Sequence, residues 1–62
     1  MEAKDLKVGD KVLCEDTDGM FSAIILYIDT IKKIVRFIDK EDFKWDEKFE
    51  DIPQTVLRKL DN

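Results

Sequence analysis

Phe21, Phe43 and Trp45 lie among acidic residues in this chain, and rings mixed with carboxylates are a chemistry for holding a cation. Ring faces and carboxylates both attract positive charge, so together they suit an ammonium or guanidinium group. Phe43 and Trp45 fall in Phe43-Lys44-Trp45-Asp46-Glu47, and Phe21 in Gly19-Met20-Phe21-Ser22-Ala23. In a small β-domain the same rings also serve as core. Trp45 suits either role, and Phe37 reads as core.

Other chemistries find little material. There is no His, and Ser22, the one serine, sits within a predicted strand without a candidate base, so hydrolytic catalysis is not expected. Gly9 and Gly19 are isolated, which excludes a glycine-rich phosphate loop. Asp46 and Glu47 are adjacent, and in a strand they point to opposite faces rather than forming one acid–base pair. With no His and one Cys, no zinc site is expected, and the carboxylate spacing matches no calcium loop. The reading is therefore of a protein that is not an enzyme and carries no cofactor or metal. Cys14, in the run Val12-Leu13-Cys14, reads as a small buried hydrophobe, and a lone thiol suits a reducing compartment.

The elements that must position these residues are short strands separated by turn signals. Val8-Gly9-Asp10 turns into a first strand, Lys11 to Glu15. Asp16-Thr17-Asp18-Gly19 is a turn cluster, with glycine available for positive φ. Phe21 to Ile28 is the longest strand. Its two faces are both largely apolar beyond Ile24, which fits either a central position or a bulge that switches faces. Asp29 to Lys33 forms a hairpin loop, and Ile34 to Ile38 a third strand. Lys40-Glu41-Asp42 turns the chain into a fourth strand, Phe43 to Lys48, which Pro53 follows and breaks. Thr55 to Lys59 closes a small all-β barrel as a short strand or forms a helical turn. Met1 to Asp5 and Asp61 to Asn62 read as frayed ends. One domain spans residues 1–62, with its core at about 6–59.

The 62 residues carry a net charge of −4, unevenly placed. Residues 39–51 hold seven acids against three lysines, and elsewhere acids and bases balance. Glu15, Asp16 and Asp18 form a second acidic patch. In an antiparallel meander the first and third loops open at the same end, so both acidic loops and Phe21 and Phe43 gather at one mouth. Lys32 and Lys33 mark the opposite end. Such a mouth repels phosphate and attracts basic partners, which argues against nucleic acid as a ligand. A solvated acidic face with no partner is the plainer alternative. No segment is long and apolar enough for a membrane helix, and Met1-Glu2-Ala3-Lys4 opens no signal peptide, so an intracellular setting is expected.

Leu6-Lys7-Val8-Gly9-Asp10-Lys11-Val12-Leu13-Cys14, followed by Asp18-Gly19-Met20-Phe21-Ser22-Ala23-Ile24-Ile25, resembles the opening of Tudor and chromo-barrel domains. Ile34-Val35-Arg36-Phe37-Ile38, Lys44-Trp45-Asp46-Glu47 and Val56-Leu57 resemble the chromo-barrel subgroup of MRG-type and MSL-type chromatin proteins. The resemblance covers residues 6–59. It implies an all-β, small five-stranded SH3-like (Tudor/chromo-barrel) barrel, a module of a larger nuclear protein. It also implies recognition of a basic histone tail, at methylated lysine, through an aromatic cage, with chromatin-complex subunits as further partners and a monomeric domain.

By position, the resemblance makes Phe21, Phe43 and Trp45 the cage candidates. Asp46 is the acid that steers the ammonium or pins the loop, and Asp16 a further ligand-binding acid. The chain departs from the family pattern at three places. Lys40 stands where the family has a cage aromatic, and a cation there repels a methylammonium unless its side chain swings away. Asp42 stands where the family has glycine. Phe49 follows where the family has another residue, and either supplies a replacement ring or packs under Pro53. A partial cage that binds basic tails is one reading. A Tudor-like scaffold with a degenerate cage is the second, and a reader of methylated arginine a third.

Overall fold

The computed structural model describes residues Met1–Leu60, so the reading of Asp61 and Asn62 as a frayed end lies outside the described residues. Strands β1 (Lys11–Asp16), β2 (Gly19–Asp29), β3 (Ile34–Asp39) and β4 (Lys44–Lys48) form an antiparallel meander. β5 (Val56–Lys59) pairs antiparallel with β1, giving the sheet order β4-β3-β2-β1-β5. The chain is thus a small all-β domain built on one five-stranded antiparallel sheet. The sheet is open: among the described residues β4 and β5, its two edges, form no ladder.

Period-two alternation decides which side chains meet. Val12 and Cys14 of β1, Ala23 and Ile25 of β2, Val35 and Phe37 of β3 and Val56 of β5 face one side and are buried. Ile52, from a single helical turn α1 (Ile52–Thr55), completes that layer. Pro53 lies in the first turn of α1, where its missing N–H costs no hydrogen bond. Of the two readings of Thr55 to Lys59 the strand holds, as β5 (Val56–Lys59), and the helical turn lies just before it, ending at Thr55. Among the described residues no polar or charged residue is buried.

β2 is both central and bulged. Its register against β3 slips between Ile25 and Tyr27, leaving Leu26 as the extra residue. Before the slip Ala23 and Ile25 face the core; beyond it Ile28 does, while Ile24, Leu26 and Tyr27 stay exposed. The apolar run in this strand therefore reflects a switch of face rather than burial on both.

The N-terminus corrects an expectation. Ala3–Asp5 form a 3-10 turn in place of a frayed end. Ala3 and Leu6 join the core, and the Met1 ammonium donates to the Val56 carbonyl at 3.1 Å. An apolar residue on either side of a tight turn gives this segment surface to bury, which its charged neighbours concealed.

Each hairpin is tied by the aspartate that ends a strand. Asp16 accepts the Asp18 N–H at 2.8 Å, and Asp29 accepts the N–H groups of Ile31 and Lys32 at 2.9 Å each. Asp39 accepts those of Glu41 and Phe43 at 2.9 and 3.0 Å. Asp10 does the same for Lys7 at 2.8 Å in the turn entering β1. Short carboxylates reach amides two to four residues away, so these acids shape loops as well as charging them.

Candidate functional site

Three elements build the site: the start of β2, the β3–β4 loop and β4. Trp45 lies opposite Phe37 in the β3–β4 ladder and stacks on it, with centroids 5.0 Å apart and planes 10° apart. Phe37 is fully buried, so it fixes Trp45 from below. Phe21, opposite Cys14 in the β1–β2 ladder, meets Trp45 at 5.7 Å with the two planes tilted by 59°. Phe43 stands two residues before Trp45, at 6.0 Å and 20°, and remains 62% exposed. Asp39 sets its position: Phe43 donates its N–H to the Asp39 carboxylate and accepts the Asp39 N–H at 3.0 Å.

Phe21, Phe43, Trp45 and Met20 line an open depression of about 700 Å³. Its rim and floor carry five carboxylates, Glu15, Asp16, Asp39, Glu41 and Glu47, against one cation, Lys40. Both acidic loops reach it, as meander order requires. Lys32, Lys33 and Lys48 gather with Phe49 around a second, shallower depression at the other end. The arrangement can seat a cation against ring faces while carboxylates offset its charge. Among the described residues, no group of three or more His, Cys, Asp or Glu is placed to hold a metal ion. No helix among them is long and apolar enough to cross a membrane.

The structure brings Phe21, Phe43, Trp45, Asp16 and Lys40 together, and separates Asp46 and Phe49 from them. Asp46 points to the opposite face of β4, where its carboxylate accepts from Arg36 Nε at 2.8 Å and Nη2 at 3.2 Å. That guanidinium holds the Asp46 carboxyl below its ordinary range, and Asp46 in turn raises Arg36. Asp46 is therefore committed to a cross-strand ion pair, and Asp39 does the loop pinning expected of it. Phe49 begins a 3-10 turn and packs against the core away from the rings, so it replaces no cage wall. Lys40 is on the rim and exposed, as its place in the loop implied.

Glu47 is the residue the sequence reading left out of the site. It shares Trp45's face of β4 by alternation and is half-buried. Its Oε1 accepts from Thr55 Oγ1 at 3.4 Å, where the edge strand β4 approaches the residue before β5. The buried Cys14 thiol is pushed up to about 11, first by burial and then by the Glu47 charge. A thiol so disposed is a packing group rather than a nucleophile. The alternation that separates Asp46 from Glu47 was legible, but only Trp45's inward direction says which of the two joins the site.

No protein-family model, curated protein or solved structure matches this chain.

Proposed function

We propose that this domain is a chromatin-associated binding module that recognises a basic histone tail and takes a methylated lysine at Phe21, Phe43 and Trp45. The observation that carries the reading is a depression lined by Phe21, Phe43 and Trp45 together with five carboxylates and a single lysine. A methylammonium is a weakly hydrated cation that gains from ring faces without demanding many hydrogen bonds. The tail's other basic residues gain from the acidic rim.

The SH3-like barrel of the Tudor and chromo-barrel type is part of the same reading. Support comes from the meander, from β5 pairing with β1, and from the approach of β4 to Thr55 through Glu47. Asp42, at the position of the family's glycine, has φ +62°, the conformation a glycine there would serve. A nuclear location, a place within a larger chromatin protein and a monomeric domain belong to this proposal too.

The test is an amide-detected NMR titration with histone-tail peptides, unmodified and methylated. Methylation-dependent shifts at Phe21, Phe43 and the Trp45 indole N–H are expected. Equal shifts with every basic peptide would instead support a scaffold that docks basic segments on charge alone. Two observations favour that second reading: Lys40 on the rim, and one face of Trp45 covered by Phe37.

A further inference from the structure

We propose that the outer face of the sheet, the side turned away from the core, is a docking surface for an acidic amphipathic helix of a partner protein. The proposal stands apart from the methyl-lysine reading and uses no residue that lines the depression. By alternation Lys11 and Leu13 of β1, Ile24 of β2, Ile38 of β3 and Lys44 of β4 all point outward. The register sets Lys11 opposite Ile24, Ile24 opposite Ile38, and Ile38 opposite Lys44. That is one row across four strands, with isoleucines in the middle and a lysine at each end. Leu13 lies on the next row, with Arg58 of β5 opposite it. Ile24 remains 43% exposed at the centre of the patch. Apolar side chains gathered on a solvent-facing sheet and rimmed by charge mark an interaction surface.

The charges around the patch select its occupant. The chain carries −4 overall, yet Lys11, Lys44 and Arg58 flank the patch and form no ion pair among the described residues. Asp46, the outward acid of β4, is cancelled by Arg36, whose guanidinium also lies over the Tyr27 ring. Glu15, the outward acid of β1, stands at the mouth end and lines the depression. The face is therefore locally positive on an acidic protein. Neighbouring strands lie about 4.8 Å apart, so Lys11 and Lys44 stand about 14 Å apart at the backbone and straddle a helix about 10–12 Å across. A helix lying along β2 and β3 sets its apolar stripe on Leu13, Ile24 and Ile38 and its acidic flanks against the two lysines. A second copy docked face to face brings like charges together, which disfavours it. A lipid surface takes apolar side chains that protrude, whereas Leu13 and Ile38 are half-buried. A nucleic-acid backbone leaves the isoleucines between the lysines without a role.

The test is an amide-detected NMR titration of the full chain with a synthetic peptide of about 18 residues, long enough to hold a helix. It carries leucines at i, i+3, i+4 and i+7 spacing and glutamates elsewhere. Its control keeps the leucines and replaces every glutamate by lysine. The acidic peptide is expected to shift Lys11, Leu13, Ile24, Ile38 and Lys44, and the basic control to leave them in place and shift the mouth instead. Lys11→Gln combined with Lys44→Gln should weaken the acidic peptide about three- to tenfold, the scale of two surface ion pairs. Ile24→Thr, which keeps the β-branched side chain that suits a strand, should weaken it about fivefold through lost apolar contact. The comparison of the two peptides needs no variant, so it decides even where Ile24→Thr fails to fold. Absence of shifts with the acidic peptide, equal shifts at this face with the basic one, or binding at these residues by duplex DNA or phosphatidylserine vesicles alone overturns the inference. Each of those outcomes leaves the reader proposal standing.

Discussion

At the scale of single residues, two rings on Trp45 divide stability from binding. Phe37 is fully buried against it, and Phe43 is 62% exposed beside it. Phe37→Ala should cost about 3–5 kcal/mol, a large part of the stability of a domain this small. Phe43→Ala should cost no more than about 0.5 kcal/mol, as surface changes do, yet weaken peptide binding. Urea unfolding read beside the peptide titration checks both, and equal loss of stability in the two variants would contradict the assignment. Cys14 supplies a second expectation. Its thiol is fully buried and raised to about 11, so a thiol reagent at pH 8 should leave the folded protein unmodified and label it fully in urea. Prompt labelling of the folded chain would mean that β1 and β5 open far more readily than their packing implies. At this scale the types were legible and the partners were not. Phe21, Phe43 and Trp45 announce themselves by composition. Asp46 announced itself equally, and lost its place because Arg36 stands opposite it in the ladder.

At the scale of elements, the strands were readable because alternation and β-branched residues mark them, with boundaries within two residues of the expected ones. The N-terminal turn and the separate role of α1 were less so, because each is stabilised by distant residues rather than by its own pattern. The loops hold the sharper lesson. Asp10, Asp16 and Asp29 read as members of turns and Asp39 as part of an acidic run, and in the structure all four act as loop ties through their carboxylates. Two loop positions also bear a backbone cost. Lys33 and Asp42 have φ +58° and +62°, where an L side chain crowds the backbone. Lys33→Gly and Asp42→Gly should each be neutral or stabilising by up to about 1 kcal/mol, since the relieved strain opposes the entropy that glycine adds to the unfolded chain. A β-branched residue at either position should destabilise. Thermal unfolding of the four variants checks the signs, and a glycine variant less stable than its parent by more than 1 kcal/mol would show that the side chain itself holds the loop.

At the scale of the whole molecule, acidity and stability are linked. The carboxyls of Asp10, Asp29 and Asp46 are all held below the ordinary aspartate range: Asp10 chiefly by the Lys7 amide and then Lys59, Asp29 by the Lys32 amide, and Asp46 by Arg36. Each depressed group stabilises the fold fully above its unfolded value and stops doing so as the pH falls through its folded value. The contribution of these groups to the urea midpoint should therefore be full and constant between about pH 5 and 8, and should be lost progressively below about pH 4. Asp46→Asn should lower the plateau and flatten the acid limb, and an acid limb unchanged by that substitution would count against the Arg36 pair. The all-β class, the antiparallel meander and hence the gathering of both acidic loops and the rings at one end were legible in the chain. Those follow from local pattern and connectivity, which a linear chain records. Tertiary structure alone decided that the sheet remains open, that Asp46 is neutralised outside the site, and that Glu47 stands half-buried within it. Those depend on which residues face each other across strands far apart in sequence, and on how deeply the packed core draws each side chain out of water.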